Sequence, residues 1–400
     1  LRVLFIATAF PRYEGDVITP WMTETLVRLR SRGVDAQVLA PSYRGQGYHE
    51  IRGIPVHRFR YAPRRWETLS HDQTVPDRLA ERPAFLALVP GYILAGMRAA
   101  AHLARDSPFD LIHVHWPMPH ALLGFAARWV SGTPVVCTWH GAELRWVHNR
   151  WPILGAILRS IVSKADAHTV NSTHTAAQLK AVRDRPVFIL PFGSTVTPKP
   201  SDRVAPATPS PSPEFLFVGR LVERKGVQVL LDAMARLPAV PPVRLRIVGD
   251  GPLRGALEER TKELGLENRV TFSGFIPEAD LAEAYAQCTA FVLPAIFDAK
   301  GDTEGLGVVL IEALAFGKPA VASGIGGIPD VVVHGETGIL VPPNDAGALS
   351  EALNALVHDP ERARRLGEAG RQRAETLFSW DAILDRTIQM YTSILERRAP

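Results

Sequence analysis

Cysteine is scarce. Cys137 and Cys288 are the only two in 400 residues, and they stand far apart. No disulfide framework is expected, and a reducing compartment fits. Asp-x-Asp is absent throughout, so the sequence does not support a diphosphate held through a metal ion. His113, His115, His120 and His140 lack a carboxylate that would complete a ligand set, so no metal and no cofactor are expected. Long apolar runs are missing as well. The longest nearly uncharged stretch, 83–97, is too short to cross a bilayer and carries Pro90-Gly91 in its middle, so it reads as an amphipathic or surface helix. Residues 1–7 have no cleavage site and run straight into Phe10-Pro11-Arg12-Tyr13-Glu14-Gly15; they read as a first buried strand, not a signal peptide. Heptads and short repeats are absent.

What is present is ordinary for a globular protein: 46% hydrophobic and 22% charged residues. The length allows two or three domains. The net charge of +4 hides an asymmetry, because residues 1–200 hold 24 Lys/Arg against 14 Asp/Glu and the second half is acidic. A basic half suits an anionic partner: a membrane surface, a pyrophosphate-linked lipid or a nucleic acid. A merely solvated surface is the alternative.

Short apolar runs bounded by Gly and Pro alternate with helical patterns. Residues 1–7, 36–40, 56–59, 111–114, 135–138, 167–170 and 187–190 read as strands, with helices at 23–32, 121–130 and 153–164 among them. Residues 198–213 are rich in Pro, Ser and Ala and read as a linker. The alternation then restarts, with strands at 215–218, 245–248, 270–272, 290–293 and 320–322 and helices at 227–237, 253–264, 279–287, 306–316 and 346–356. The fold class expected is α/β, two Rossmann-like doubly wound parallel-sheet domains in tandem facing an interdomain cleft. The boundaries expected are 1–197, a linker at 198–213, 214–378, and a final helix in 379–400. Open parallel sheets bind ligands beyond the carboxyl ends of their strands, which places the site in the cleft, with the linker as its hinge.

The strongest chemical signal is Asp302-Thr303-Glu304-Gly305-Leu306-Gly307, followed by an apolar run that contains Glu312. A carboxylate among Leu310, Ile311, Ala313 and Leu314 is costly unless hydrogen-bonded, and a diol supplies the donors that an ionised carboxylate needs. If 304–312 were all helical, the two acids would lie about 12 Å apart along the axis, roughly the reach of a sugar nucleotide. Glu304 then takes the sugar and Glu312 the ribose; a buried Glu paired with an Arg is the bland alternative. Gly219 turns the chain after a strand, and Arg220 and Lys225 beside a helix start suit a diphosphate. Gly249-Asp250-Gly251 is another strand-to-helix turn, although the third glycine of a dinucleotide fingerprint is not at its spacing. Gly274-Phe275-Ile276 offers backbone groups to a base edge, and Gly324-Ile325-Gly326-Gly327 is a further glycine-rich loop. In the first half, Gly15 allows close backbone approach, and His140 at a strand's carboxyl end suits hydrogen bonding to a donor sugar. His115 and Trp116 are candidates, with Arg64, Arg65 and Trp66, for contact with an acceptor or a membrane. Arg58, Arg60, Arg64, Arg65 and Trp66 form a basic, aromatic-bearing stretch that suits an anionic lipid surface or plain solvent.

Taken together, these residues resemble glycosyltransferase family 4, of the GT-B architecture. Gly219-Arg220-Leu221, Lys225-Gly226, Gly249-Asp250-Gly251, Glu304-Gly305, Glu312-Ala313, Gly317-Lys318-Pro319 and Gly335-Glu336-Thr337-Gly338 stand in family order. Phe10-Pro11, Glu14-Gly15-Asp16 and Trp139-His140-Gly141 look like members that build bacterial surface polysaccharides or lipid-linked sugars. The resemblance implies a retaining, metal-independent transfer of a hexose from a UDP- or GDP-linked donor to a hydroxyl of a glycan or lipid-linked acceptor. It implies Arg220 and Lys225 on the diphosphate, Glu312 on the ribose, and Glu304 and His140 on the sugar. Gly15, Gly219, Gly251, Ile276, Gly305 and Leu306 complete the donor site, and the final helix returns to the first domain. No nucleic acid is implied; the location is cytoplasmic, at the inner face of the cell membrane if the basic stretch touches lipid. Two departures stand out: Ser194 follows Pro191-Phe192-Gly193 where members commonly carry Asp shortly after this turn, and Asp330 stands where Glu is usual. A sugar-nucleotide epimerase or a non-catalytic nucleotide- or glycan-binding scaffold shares the architecture. A nicotinamide-dependent oxidoreductase would need the glycine fingerprint that is missing.

Overall fold

The computed structural model describes residues 1–398 apart from 17, 72–74, 142, 145–151, 195, 199–212 and 239–241. The expected linker at 198–213 thus lies almost wholly outside the described residues. The chain divides into two compact units: Leu1–Pro191 together with Ile383–Pro400, and Phe192–Ala382.

In the first unit, β1 (Arg2–Ile6), β2 (Asp35–Pro41), β3 (His49–Ile51), β4 (Ile54–Phe59), β5 (Leu111–His115), β6 (Val135–Trp139), β7 (Ala167–Val170) and β8 (Val187–Ile189) form one sheet. The order is β3-β4-β2-β1-β5-β6-β7-β8. Every pair is parallel except β3 with β4. Val3, Leu4, Phe5 and Ile6 are all buried, as an unbroken apolar run demands when helices cover both faces of a sheet. The hairpin strand β3 escapes a reading by apolar runs, since His49-Glu50-Ile51 has none; Arg52 and Gly53 make its turn in left-handed conformations, at φ 50° and 76°. The final helix, Trp380–Glu396, contributes Leu384, Met390, Tyr391 and Ile394 to the core beneath β1 and β2.

The stretch expected as a short surface helix is longer. Helical structure runs over Pro83–Asp106, 24 residues that are long and apolar enough to cross a membrane by length and composition alone. Tyr92, Gly96, Ala100 and Ala104, four residues apart, face inward. Gly96 packs closely there: a Cβ would fall 2.6 Å from Leu123 Cδ2, and that side chain would have to shift. Leu86 and Leu94 stay exposed.

The second unit holds six parallel strands in the order β11-β10-β9-β12-β13-β14. These are β9 (Glu214–Val218), β10 (Arg244–Val248), β11 (Val270–Gly274), β12 (Ala290–Leu293), β13 (Ala320–Ser323) and β14 (Gly338–Val341). Its core already includes Val196. Helix Pro360–Leu377 buries Ala363, Leu366, Gly367, Gly370 and Ala374. A face of such small residues leaves little apolar periodicity to read, and it exists because Gly367 lies against the Gly317 carbonyl with no room for a side chain. The helix expected from 306 is shorter, Val308–Ala315, entered through Gly307 at φ 85°. Glu304 therefore sits in a loop, and the helical spacing of the two acids does not apply.

Candidate functional site

In the second unit the turns after β9 and β10 press against each other. Gly219 N donates to Val248 O at 2.9 Å and Leu221 N to Asp250 O at 2.9 Å. A Cβ on Gly249 would overlap the Gly219 carbonyl, and one on Gly251 the backbone of Leu221. Only glycine lets two such loops meet, and this meeting aims the chain that follows Gly219. A short turn, Glu223–Lys225, ends at Gly226 with φ 68° and leaves Lys225 buried. Lys225 Nζ hydrogen-bonds Glu304 Oε2. Arg224 Nη1 lies 3.7 Å from the same oxygen, and its Nε 3.8 Å from Asp302. Burial alone would raise the Glu304 carboxyl. Lys225, Arg224 and the Gly307 N–H outweigh it and hold the group below its ordinary value.

The loop carrying Glu304 is fixed from behind. Gly327 N donates to Glu304 O at 3.0 Å, and Gly326 and Gly327 sit so close to the Glu304 and Gly305 carbonyls that a side chain on either would overlap them. Leu306 is buried in the core, so any contact it offers a ligand is through its backbone.

Glu312 is buried on helix Val308–Ala315. Tyr285 Oη donates to its Oε2 at 2.7 Å. Ser194 Oγ stands 3.4 Å from its Oε1, but lies closer to Val196 O, at 2.6 Å. Burial pushes the Glu312 carboxyl up to about 7, against the opposing hydrogen bonds of Tyr285, Ser194 and the Val196 backbone. Ser194 thus meets the second carboxylate where an Asp would repel it. No local sequence signal marks Tyr285 as a partner of Glu312, and none separates Arg224 from an ordinary solvated charge beside Lys225. Arg220, after the same turn, is exposed and forms no ion pair among the described residues. Ile276 is half-buried past Gly274, whose carbonyl accepts from Gly249 N at 2.8 Å, and Phe275 between them is exposed.

The first unit gathers a second set at the carboxyl ends of β5 and β6. His115 Nδ1 and His140 Nε2 stand 3.2 Å apart. Trp116 stacks on the His140 ring at 4.2 Å and 21°, and Trp21 lies 5.5 Å from it. Desolvation, with His115 adding to it, lowers the His140 imidazole well below its ordinary value; desolvation takes His115 to about 3. Both rings are neutral at physiological pH, one nitrogen donating and one accepting. His140 N donates to Glu143 Oε1 at 2.8 Å. His113 instead bonds Tyr391 Oη and Thr138 Oγ1, and His120 bonds Tyr92 Oη at 2.8 Å and Trp116 O at 3.0 Å. Those two are satisfied structural rings. Among the described residues no group of three His, Cys, Asp or Glu side chains is arranged to hold a metal ion.

Gly15, at φ 86°, tops a loop closed by Asp16, which takes Arg12 Nε at 2.7 Å and Arg12 N at 3.0 Å. Among the described residues no atom lies within 4 Å of where a Gly15 Cβ would be, beyond its chain neighbours. The basic stretch is not uniform. Arg58 is buried, donating to Phe10 O at 2.9 Å, Pro11 O at 2.7 Å and Pro41 O at 3.2 Å, so it ties the loop after β1 to the end of β2 and offers nothing to a surface. Arg60 pairs with the buried Glu67. Arg64, Arg65 and Trp66 remain exposed.

Two family models match the chain: "Glycosyl transferase 4-like domain" over residues 19–193 and "Glycosyl transferases group 1" over 198–373. The chain is 30% identical over 393 residues to a GDP-mannose-dependent alpha-(1-6)-phosphatidylinositol monomannoside mannosyltransferase of Mycobacterium tuberculosis, covering 96% of each. The chain belongs to glycosyltransferase family 4. The corresponding enzyme of Mycolicibacterium smegmatis is 31% identical over 76% of this chain and 81% of its own. Among solved structures, sucrose-phosphate synthase from Thermosynechococcus elongatus superimposes with a TM-score of 0.74 at 26% identity over 99% of both chains. This family 4 chain therefore has the GT-B fold and is a glycosyltransferase that uses sugar-nucleotide donors.

Proposed function

We propose that the chain transfers a hexose from a nucleoside-diphosphate sugar to a hydroxyl of a glycan or lipid-linked acceptor, with retained anomeric configuration and without a metal ion. The observation that carries this reading is the Lys225–Glu304 pair beside Gly219. A buried cation and a carboxylate held ionised are matched to the two halves of one donor. Lys225 turns to the diphosphate, joined by Arg220, and Glu304 turns to the sugar hydroxyls. The C1–oxygen bond breaks with its electron pair passing to the leaving diphosphate, where the two cations stabilise the charge. The acceptor oxygen bonds C1, and its proton passes to the leaving phosphate. His140, neutral, hydrogen-bonds the sugar, and Glu312 exchanges its protein hydroxyls for those of the ribose. The relatives' names make GDP-mannose the first donor to try. Both matched models describe transferases, which favours transfer over epimerisation or binding alone. The test is product analysis by NMR in EDTA. The donor's own anomeric configuration in the product supports the reading; inversion, or strict dependence on a divalent ion, overturns it.

We further propose that the acceptor side meets a membrane surface. Exposed Leu86 and Leu94 on helix Pro83–Asp106, with Trp66 and Arg65 also exposed, combine apolar and cationic groups suited to an anionic bilayer. Leu86→Asp with Leu94→Asp should abolish flotation with phosphatidylglycerol-containing vesicles; undiminished flotation removes this helix from the contact.

A further inference from the structure

The loops after β1, β2 and β4 enclose an open cleft of roughly 400 Å³ at the carboxyl end of the first sheet. Its walls are Arg12, Tyr13, Tyr43, Arg44 and Arg64. The arginines are not equivalent. Arg12 is held by Asp16 and lies over Tyr43 at 4.9 Å and Tyr13 at 5.7 Å. Arg44 lies over Tyr43 at 5.3 Å. Arg44 and Arg64 are exposed, and neither forms an ion pair among the described residues. Glu67, a carboxylate beneath this loop, is spent on Arg60, Ser42 Oγ at 2.9 Å and Gly45 N at 2.7 Å. Arg64 folds directly over Gly45, where φ is 86° and a side chain would displace it. Gln46 also lines the cleft. Its amide nitrogen is fixed on Arg12 O at 2.6 Å, while its Oε1 is buried and has no hydrogen-bond partner among the described residues.

Two unneutralised guanidinium groups, tyrosine faces and one unmet acceptor define a ligand. Guanidinium suits a phosphate ester, tyrosine faces suit the C–H face of a sugar or polyol, and Gln46 Oε1 suits a hydroxyl donor. We propose that this cleft binds the phosphorylated polyol or sugar portion of the acceptor, with the phosphate on Arg44 and Arg64. The proposal rests on the transferase reading above and adds the acceptor's chemical class. It explains why the cleft lies at the same sheet end as His115 and His140.

The test is calorimetric titration of the full chain with glycerol 1-phosphate, with a nucleoside diphosphate present to fill the donor site. Arg44→Gln with Arg64→Gln should weaken binding about tenfold or more, the scale of one or two charge-assisted hydrogen bonds. Arg183→Gln, which removes an exposed charge of the same unit outside the cleft, should leave it unchanged. Glycerol in place of its phosphate should bind far more weakly. Failure of the intact chain to bind glycerol 1-phosphate, or equal binding by the double variant, overturns the proposal. Titration with the nucleoside diphosphate alone reads the donor site independently, so a defect in the transferase reading shows there. A second arm separates the sources of the phosphate. Flotation with phosphatidylglycerol vesicles that needs Arg44 and Arg64 assigns the cleft to a lipid headgroup. Binding of glycerol 1-phosphate with flotation indifferent to these residues assigns it to a water-soluble phosphate ester.

Discussion

Replacing Lys225 by Met removes one member of a nearly buried ion pair; the two side chains are 11% and 12% exposed. Breaking such a pair commonly costs about 3–5 kcal/mol, because the remaining charge is left in low dielectric. Here Arg224 remains 3.7 Å from Glu304, so a charge-assisted partner persists and the expected cost falls to about 1–3 kcal/mol at neutral pH. For a unit of this size that lowers the melting midpoint by roughly 2–4 °C per kcal/mol. The pH dependence identifies the cause. Glu304 in the folded protein lies below its ordinary value, so its contribution to stability is present above the ordinary carboxylate range and is lost as pH falls through the lowered value. Without Lys225, burial is opposed only by Arg224 and the Gly307 N–H, and the carboxyl moves up. The gap between the two proteins should therefore be full at pH 7 and close or reverse below about pH 4. Scanning calorimetry across that interval measures it. A gap that stays constant with pH would show that Lys225 acts through packing of its aliphatic stem, and the electrostatic account of this pair would fail.

Other consequences are direct. Glu312, raised to about 7, destabilises the fold above the ordinary carboxylate range, and fully so above pH 7; Glu312→Gln should raise the melting midpoint at pH 8, leave it nearly unchanged at pH 4, and weaken nucleoside diphosphate affinity. Glu304→Gln should abolish transfer under saturating donor while the circular dichroism spectrum stays that of the parent; full activity would remove the sugar-holding role. His140→Ala should cut kcat by about 10²–10³, the scale of one lost hydrogen bond to developing charge, with nucleoside diphosphate binding unchanged; equal losses of both would point to disruption of the Trp116 stack. Gly327→Ala should destabilise by about 1–3 kcal/mol, as overpacking does, because the added methyl lies 2.9 Å from Leu306 Cα; an unchanged midpoint in urea would show that the Glu304 loop yields freely.

Both sheets were legible because their central strands are unbroken apolar runs between glycines, a pattern with few other outcomes. The spacing from Glu304 to Glu312 was legible too, since a buried acid in an apolar run requires an explanation. Its geometry was not, because Gly307 breaks the helix and only the backbone shows it. Arg58 could not be told from Arg64 in sequence, because only folding brings three carbonyls around one of them. Tyr285 and Ser194 are 27 and 118 residues from Glu312, and nothing local marks either as its partner. The cleft of Arg12, Arg44 and Arg64 is assembled from three separate loops and has no motif at all.

The most direct test of the central claim is calorimetric titration, in EDTA, of the purified chain and its Lys225→Ala variant with UDP, GDP, ADP and GDP-mannose. The account predicts saturable binding of one nucleoside diphosphate without metal, weakened about tenfold or more by Lys225→Ala. Binding that appears only with a divalent ion, or an affinity indifferent to Lys225, would contradict it.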